Sequence, residues 1–116
     1  MVAKKHEWVE GFPGEITVSD RKGTILALNR MAVDSFREQG GKKLVGSNLF
    51  DCHPEPAISK LKRLMRTKQV NVYTVRKGRT TKLVVQAPWF SGKRYGGFVE
   101  IDLKLPGKIP LIVRKP

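Results

Sequence analysis

Residues 46–65, GSNLFDCHPEPAISKLKRLM, decide how the rest of this 116-residue chain is interpreted. The segment predicts a short helical turn, a kink marked by Pro54 and Pro56, and then an amphipathic helix. Strand-like sequence lies on both sides of it in the chain. A helix between two halves of a sheet must lie across that sheet, and the space beneath it is a natural site for a small molecule.

The sequence before this segment predicts a hairpin followed by a helix. Residues 15–19 alternate in the period-two manner of a half-buried strand, with Ile16 and Val18 inward. The turn at 20–23 contains an Asp and a Gly, and residues 24–28 return as the second strand. Asn29 is a good N-cap for a helix that extends to about residue 38.

The sequence after the segment predicts three more strands. Residues 70–75 and 80–87 form a hairpin around the turn at 76–79, and residues 97–103 alternate with Val99, Ile101 and Leu103 inward. Residues 83–85 are all apolar, which favours a strand that is covered on both faces or meets a second chain. The pattern of two strands, several short helices and three strands indicates an α+β fold.

The chain divides into three parts. Residues 1–14 form an arm or short helix, residues 15–103 form one domain, and residues 104–116 form a proline-rich tail. The tail contains three prolines and an apolar patch, so we expect it to be extended and to pack on the body or on a neighbour.

The net charge of +13 is unevenly distributed. Residues 56–99 contain 11 of the 23 basic residues and no Asp or Glu. Such a face attracts anions of any kind. We interpret it as a solubilising surface rather than a dedicated polyanion site, because no nucleic-acid recognition motif accompanies the charge.

Other classes of function find little support in the residues. No apolar run reaches the length of a membrane span, and the N-terminus lacks a secretory signal, so a cytoplasmic protein is expected. Cys52 has no second cysteine to pair with. No hydrolase, phosphate-binding or dinucleotide motif and no metal-spaced Cys/His cluster is present, so we expect neither an enzyme nor a metal site.

Three stretches together resemble the PAS family. They are ITVSDRKGTILALNRMA, LVGSNLFDCHPE and APWFSGKRYGGFVEIDL, and the resemblance spans residues 15–103. It implies a PAS-like five-stranded antiparallel sheet with short helices packed across one face. It also implies a sensor or protein-interaction module in signal transduction, one that commonly forms homodimers.

The resemblance also bears on cofactors, and it disfavours flavin and haem while leaving any cofactor unknown. Flavin-binding members place a reactive Cys where this chain has Leu49, three residues before Cys52. Haem-binding members usually take an axial His from the helix after the kink, and residues 57–67 contain none. His53 occupies a position that is often structural in the family, and a lone His rarely builds a metal site.

The sequence therefore favours two functions, one above the other. The first is a PAS module that binds a small, apolar-bodied ligand, with an anionic ligand as one option, or that dimerises and signals through a separate protein partner. Its predicted ligand-binding residues are Phe36, Leu49, Phe50, His53, Ile58, Leu61, Met65, Tyr73, Val85, Val99 and Ile101. The alternative is that these side chains only fill the core and leave no cavity, because core and pocket residues look alike in a sequence. The second, less favoured, is a nucleic-acid-binding protein that uses the basic face with Tyr73, Trp89, Phe90 and Tyr95.

Overall fold

The computed structural model describes residues 6–51 and 53–116. The predictions for residues 1–5 and for Cys52 lie outside the described residues. The three α-helices are α1 (Glu7–Gly11), α2 (Arg30–Ser35) and α3 (Ala57–Thr67). The three short 3-10 turns are Arg37–Gln39, Gly41–Leu44 and Leu49–Asp51. The strands are β1 (Glu15–Asp20), β2 (Ile25–Leu28), β3 (Asn71–Lys77), β4 (Thr80–Ser91) and β5 (Arg94–Lys104).

The five strands form one antiparallel sheet in the order β2-β1-β5-β4-β3. The last strand of the chain lies at the centre, between β1 and β4. The sheet is therefore assembled from both ends of the chain, and α2, the 3-10 turns and α3 connect its two halves. The predicted α+β architecture is confirmed.

The buried core lies between α3 and the centre of the sheet. Leu61, Leu64 and Met65 of α3 pack with Phe98 of β5. The helix begins at Ala57, directly after Pro56, as the proline spacing predicts. Its basic side chains are exposed on the opposite side, which agrees with the predicted amphipathic pattern.

The pairing register defines the two faces of the sheet. Thr17, Glu100 and Gln86 lie side by side on β1, β5 and β4, and they face the helices. The neighbouring row, Ile16, Ile101 and Val85, must then point to the other side, since successive strand residues alternate. We call this other side the outer face.

The predicted inward direction of several strand residues is therefore wrong. Val18 pairs with Val99, and Leu83 pairs with Leu103, all on the outer face. The apolar row was expected on the helix side because that side usually carries the core. In this protein the outer face carries the more continuous apolar row. Because side chains alternate, an error of one residue in assigning a strand exchanges its two faces.

The tail that follows β5 adds little to the sheet. Beyond Lys104 the tail makes one backbone contact to the sheet, from Leu105 N to Thr81 O (2.9 Å). Its apolar side chains at Ile109, Leu111, Ile112 and Val113 are exposed. Within residues 6–51 and 53–116, no helix has both the length and the apolar character that crossing a bilayer requires.

Candidate ligand cleft between the helices and the sheet

A cavity of about 160 Å³ lies between the helical segments and the sheet. Strands β1, β2, β4 and β5 form its floor. Phe36, which follows α2, contributes to its roof together with the 3-10 turns, His53 and α3. The residues that line it are Thr17, Ser19, Ile25, Leu28, Phe36, Gln39, Leu44, Leu49, His53, Leu61, Gln86, Phe98 and Glu100. We call this cavity the cleft.

The structure brings four of the eleven predicted ligand residues to the cleft. Phe36, Leu49, His53 and Leu61 line it. His53 itself is exposed, so it belongs to the rim rather than to the interior. Only Leu61 comes from α3, because the segment between β2 and α3 supplies most of the roof.

The other predicted residues lie elsewhere. Phe50 and Met65 line a separate surface groove, which is described below. Ile58 is half-buried on α3, and Tyr73 is exposed on β3 with the Lys60 ammonium 5.9 Å from its ring centroid. The assignment of Val85, Val99 and Ile101 to the cleft is corrected, because all three lie on the outer face.

Sequence reasoning missed most of the polar floor of the cleft. Thr17, Ser19, Gln86 and Glu100 line it, together with the buried ring of Phe98. The sequence of β5 does place Phe98 and Glu100 on one face of the strand, because they are two residues apart. The other set of β5 residues, Val99, Ile101 and Leu103, is uniformly apolar, and alternation along the strand therefore favours it as the side that faces the helices.

A hydrogen-bond chain holds the carboxylate of Glu100 in place on this floor. The Asn71 side-chain amide donates to Gln86 Oε1 (2.9 Å), and Gln86 Nε2 donates to Glu100 Oε1 (2.8 Å). The Asn71 contact orients the Gln86 amide, so its N–H group points toward Glu100. A positioned carboxylate acceptor beside apolar walls is the main polar feature of the cleft.

Further carboxylates lie beside the cleft on the same face of the sheet. Glu15 pairs with Asp102 across β1 and β5, and the Lys82 ammonium binds Glu15 Oε2 at 2.7 Å. Asp102 Oδ1 is buried and has no hydrogen-bond partner among the described residues. Burial, followed by the negative charges of Glu100 and Glu15, raises the pKa of Asp102 to about 7. Below that pH the protonated Asp102 can donate to Glu100.

Asp102 should make the stability of this protein depend on pH. Its pKa is higher in the folded chain than its ordinary value of 3.8, so its contribution is complete below pH 4 and is lost as the pH rises through about 7. Asp102→Asn keeps a neutral side chain at every pH. We expect the variant to match the parent at pH 4 and to exceed its free energy of unfolding at pH 8 by about 1 kcal/mol, a value discounted for partial exposure.

Urea denaturation at both pH values measures this difference. Asp51→Asn removes an exposed carboxylate and is the matched control. Equal stability of Asp102→Asn and the parent at pH 8 would contradict the assignment.

The cleft offers acceptors and hydroxyls but no strong cation. Of the described residues that line it, none is Lys or Arg, and Glu100 is the acidic one. The apolar walls are formed by Ile25, Leu28, Phe36, Leu44, Leu49, Leu61 and Phe98. Among residues 6–51 and 53–116, no group of three His, Cys, Asp or Glu side chains is arranged to hold a metal ion.

The aromatic side chains invoked for nucleic acid are largely engaged within the fold. The Trp89 indole N–H donates to Ser19 O (2.9 Å) and is half-buried. The ring of Tyr73 lies near Lys60, and the ring of Tyr95 lies near Lys68. Phe90 is exposed but packs its edge against Tyr95. The described part of the chain thus shows no open row of stacking rings.

Comparison with solved structures places the fold among known domains. The Aer2 receptor of Vibrio cholerae, described as a dual PAS-heme oxygen sensor, matches with a TM-score of 0.58 and 20% identity, covering 84% of this chain and 99% of that one. The PAS domain of histidine kinase ThkA matches with a TM-score of 0.62 and 17% identity, and the match covers 78% of this chain and 98% of that one. The PAS domain of Bordetella pertussis BvgS matches with a TM-score of 0.63 and 16% identity, and the match covers 84% of this chain and 81% of that one.

These matches rest on structure, because no protein-family model matches the sequence and no curated protein is detectably similar to it. At such low identity the agreement extends to the fold and not to individual site residues.

Proposed function

We propose, from the premise that this chain has the PAS fold, that it is a sensory module of signal transduction whose cleft binds a small molecule. The observation that carries the proposal is the cavity itself, which combines apolar walls with one positioned carboxylate. A cavity of this kind is the usual form of a small-molecule site. The sensory role is what PAS domains perform in the similar signalling proteins.

The volume of the cleft limits the size of the ligand. At about 160 Å³ it resembles an engineered apolar cavity of roughly 150 Å³ that binds benzene. It falls below the range of about 300–1,000 Å³ that accommodates drug-sized ligands. We therefore infer a ligand of benzene-like size, and a haem or flavin would require the walls to move apart.

The lining also limits the chemistry of the ligand. Glu100 accepts hydrogen bonds, and Gln86 holds it toward the cleft floor. An anionic ligand would meet this carboxylate with no lining Lys or Arg to compensate it. A neutral or cationic ligand with an N–H or O–H donor satisfies the carboxylate instead. This preference replaces the anionic option that the overall charge suggested.

Paired probes of one size test the ligand class. Benzylamine and benzoate differ mainly in the sign of charge, and their binding can be followed by backbone amide chemical shifts at pH 7. We expect benzylamine to bind at least about tenfold more tightly, because it can form a charge-assisted hydrogen bond with Glu100. Native mass spectrometry of gently purified protein would separately give the mass of any ligand that stays bound during purification.

The variant Glu100→Gln tests the role assigned to the carboxylate. It should reduce benzylamine affinity about tenfold, whereas Glu38→Gln, at an exposed position on a 3-10 turn, should leave the affinity unchanged. The ligand class is refuted if benzoate binds as tightly as benzylamine, or if Glu100→Gln binds the amine like the parent.

We further propose that a second copy of this chain covers the outer face. Val72, Val85 and Ile101 form an apolar row across β3, β4 and β5, and Val72 is 54% exposed. In β4, Val84 is buried on the helix side while its neighbours Leu83 and Val85 face outward. An apolar sheet face of this kind is typical of homodimer contacts, and a dimer gives a module a means of passing a signal to a separate protein.

Val72→Glu should convert a dimer into monomers by placing a charge in the outer row. The matched control is Val75→Glu, since Val75 is an exposed valine of the same strand on the opposite face. Sedimentation velocity should show a species near twice 13.1 kDa for the parent and for the control, and near 13.1 kDa for Val72→Glu. A single 13.1 kDa species for the parent at high concentration would end this proposal.

A further inference from the structure

A second concave site lies on the surface beside the cleft. It is a groove of about 320 Å³ between the β1–β2 turn, the 3-10 turn Leu49–Asp51, α3 and β5. Its lining residues are Arg21, Lys22, Phe50, Lys62, Met65, Arg66, Lys68 and Tyr95. Five of these eight side chains are cationic and none is acidic. We call this site the cationic groove.

The five cations come from separate parts of the chain. Arg21 and Lys22 belong to the β1–β2 turn, and Lys62 and Arg66 belong to α3. Lys68 is the residue that caps the end of α3. Within the described residues none of the five forms an ion pair. The nearest acid in the turn, Asp20, accepts hydrogen bonds from the backbone N–H groups of residues 22 and 24, at 2.9 Å each.

Compensation of the α3 dipole explains only part of this arrangement. Cations near a helix C-terminus are favourable, which accounts for Arg66 and Lys68. The helix dipole does not account for Arg21 and Lys22, which lie in the β1–β2 turn and line the same groove. Five like charges around one concavity repel each other, and an anion placed among them would relieve that repulsion.

Aromatic rings hold two of the ammonium groups at the groove. The Lys62 ammonium lies 5.0 Å from the Phe50 ring centroid, and the Lys68 ammonium lies 5.3 Å from that of Tyr95. Such cation–π contacts orient flexible lysines without neutralising them. The cations are therefore partly preorganised for a ligand.

Tyr95 adds an unpaired polar group to the same place. Its hydroxyl oxygen is buried and has no hydrogen-bond partner among the described residues. Burial raises the pKa of Tyr95, and the positive charge of Arg21 lowers it in part. The phenol therefore keeps its proton and remains a hydrogen-bond donor beside the groove.

We propose that the cationic groove binds a small molecule that carries two or more phosphate groups. Phosphate oxygens accept the multiple N–H donors that Arg and Lys present, and guanidinium groups match phosphate geometry in a bidentate manner. Two phosphates carry enough negative charge to be shared between the turn and α3. The site is distinct from the cleft, since the two share no lining residue.

Titration with tripolyphosphate and with ATP tests this site in the 116-residue chain. Isothermal titration calorimetry at 50 mM and 200 mM NaCl should show binding of both, weaker at the higher salt concentration. Tighter binding of ATP would assign a nucleotide, whose base can contact Phe50 and Met65 of the groove. Equal binding of the two would assign an oligophosphate. Either result supports the groove as a phosphate site.

Matched double variants locate the binding. Lys62→Gln/Arg66→Gln removes two charges from the groove, and Lys77→Gln/Arg79→Gln removes two from the β3–β4 turn at the other end of the sheet. The groove variant should lower the affinity about tenfold or more, while the turn variant should change it less than about twofold. All four residues are exposed, so both variants should fold.

Three outcomes would overturn the proposal. The first is an absence of binding at 50 mM NaCl. The second is an equal loss of affinity in the two double variants, which would indicate a diffuse cationic field. The third is that a single-stranded oligonucleotide binds far more tightly than ATP and is weakened equally by both variants, which would assign the whole basic face to nucleic acid.

Discussion

Asn29→Ala should lower the free energy of unfolding by about 3–5 kcal/mol. The Asn29 side chain is buried and makes four hydrogen bonds. Its Oδ1 accepts from the backbone N–H groups of Ile16 (2.9 Å) and Ala32 (3.1 Å). Its Nδ2 donates to the carbonyls of Val9 (3.0 Å) and Gly14 (2.8 Å).

The size of the effect follows from what the substitution leaves behind. Loss of the cap on α2 alone destabilises by about 1 kcal/mol. In addition, the buried N–H of Ile16 and the buried C=O of Gly14 lose their partner, and each unsatisfied group costs about 1–3 kcal/mol. The Asn29 side chain thus links α1, the start of β1 and α2 through hydrogen bonds.

Urea denaturation followed by far-UV circular dichroism measures this loss. Asn71→Ala is the matched control, because Asn71 is half-buried and its side chain makes one amide contact, to Gln86. It should lose about 1 kcal/mol. A loss below about 1.5 kcal/mol for Asn29→Ala would mean that water replaces its four contacts.

Gly97→Ala is expected to be still more damaging, at about 4 kcal/mol or more. Gly97 lies in β5 at φ +154°, a conformation that L side chains rarely adopt. A Cβ placed there would collide with the carbonyl oxygen of Ser19 and would lie 2.7 Å from two backbone carbons of Asp20. These are backbone atoms of the neighbouring strand, so relief requires β1 and β5 to separate.

Alanine substitutions at two other glycines provide a comparison for the loss of stability expected in Gly97→Ala. At Gly96 the added methyl would meet the Trp89 ring, which can move only by giving up its hydrogen bond to Ser19 O. Because that obstacle is a side chain and not backbone, Gly96→Ala should be damaging but less so than Gly97→Ala. At Gly107 in the tail a methyl meets nothing within 4 Å, and Gly107→Ala should be neutral. Thermal unfolding of the three variants should rank them in this order. A stable, parent-like Gly97→Ala protein would show that β1 and β5 are not closely paired at this point.

The order of the main elements was predicted correctly from the sequence, but not all of their bounds. The helix after Asn29 ends at Ser35 and gives way to a 3-10 turn instead of continuing to residue 38, and β3 extends to Lys77 into the predicted turn. The turn at 20–23, the cap at Asn29, the kink before α3 and the β3–β4 hairpin each depend on residues close together in the chain. The apolar stripe of α3 is likewise local, and Leu61, Leu64 and Met65 are buried as it predicts. Local backbone preferences and short-range periodicity are sufficient for such features.

The site was predicted less completely. His53 and Leu49 were found because they lie on the segment that crosses the sheet. Thr17 and Gln86 were missed because isolated polar residues in strands look like surface positions. The cationic groove was visible only as a basic composition, since its members are as far apart as Arg21 and Lys68 in the chain.

The sequence alone therefore determined which segments are helices and strands and that the helical segment joins two halves of one sheet. The tertiary structure alone decided which face each strand residue occupies. In β5 the residues of one parity are Phe98, Glu100 and Asp102, and those of the other are Val99, Ile101 and Leu103. Either set can face the helices when both sides of a sheet carry apolar groups. The choice follows from the pairing with β1 and β4, a long-range contact that alternation along one strand does not encode.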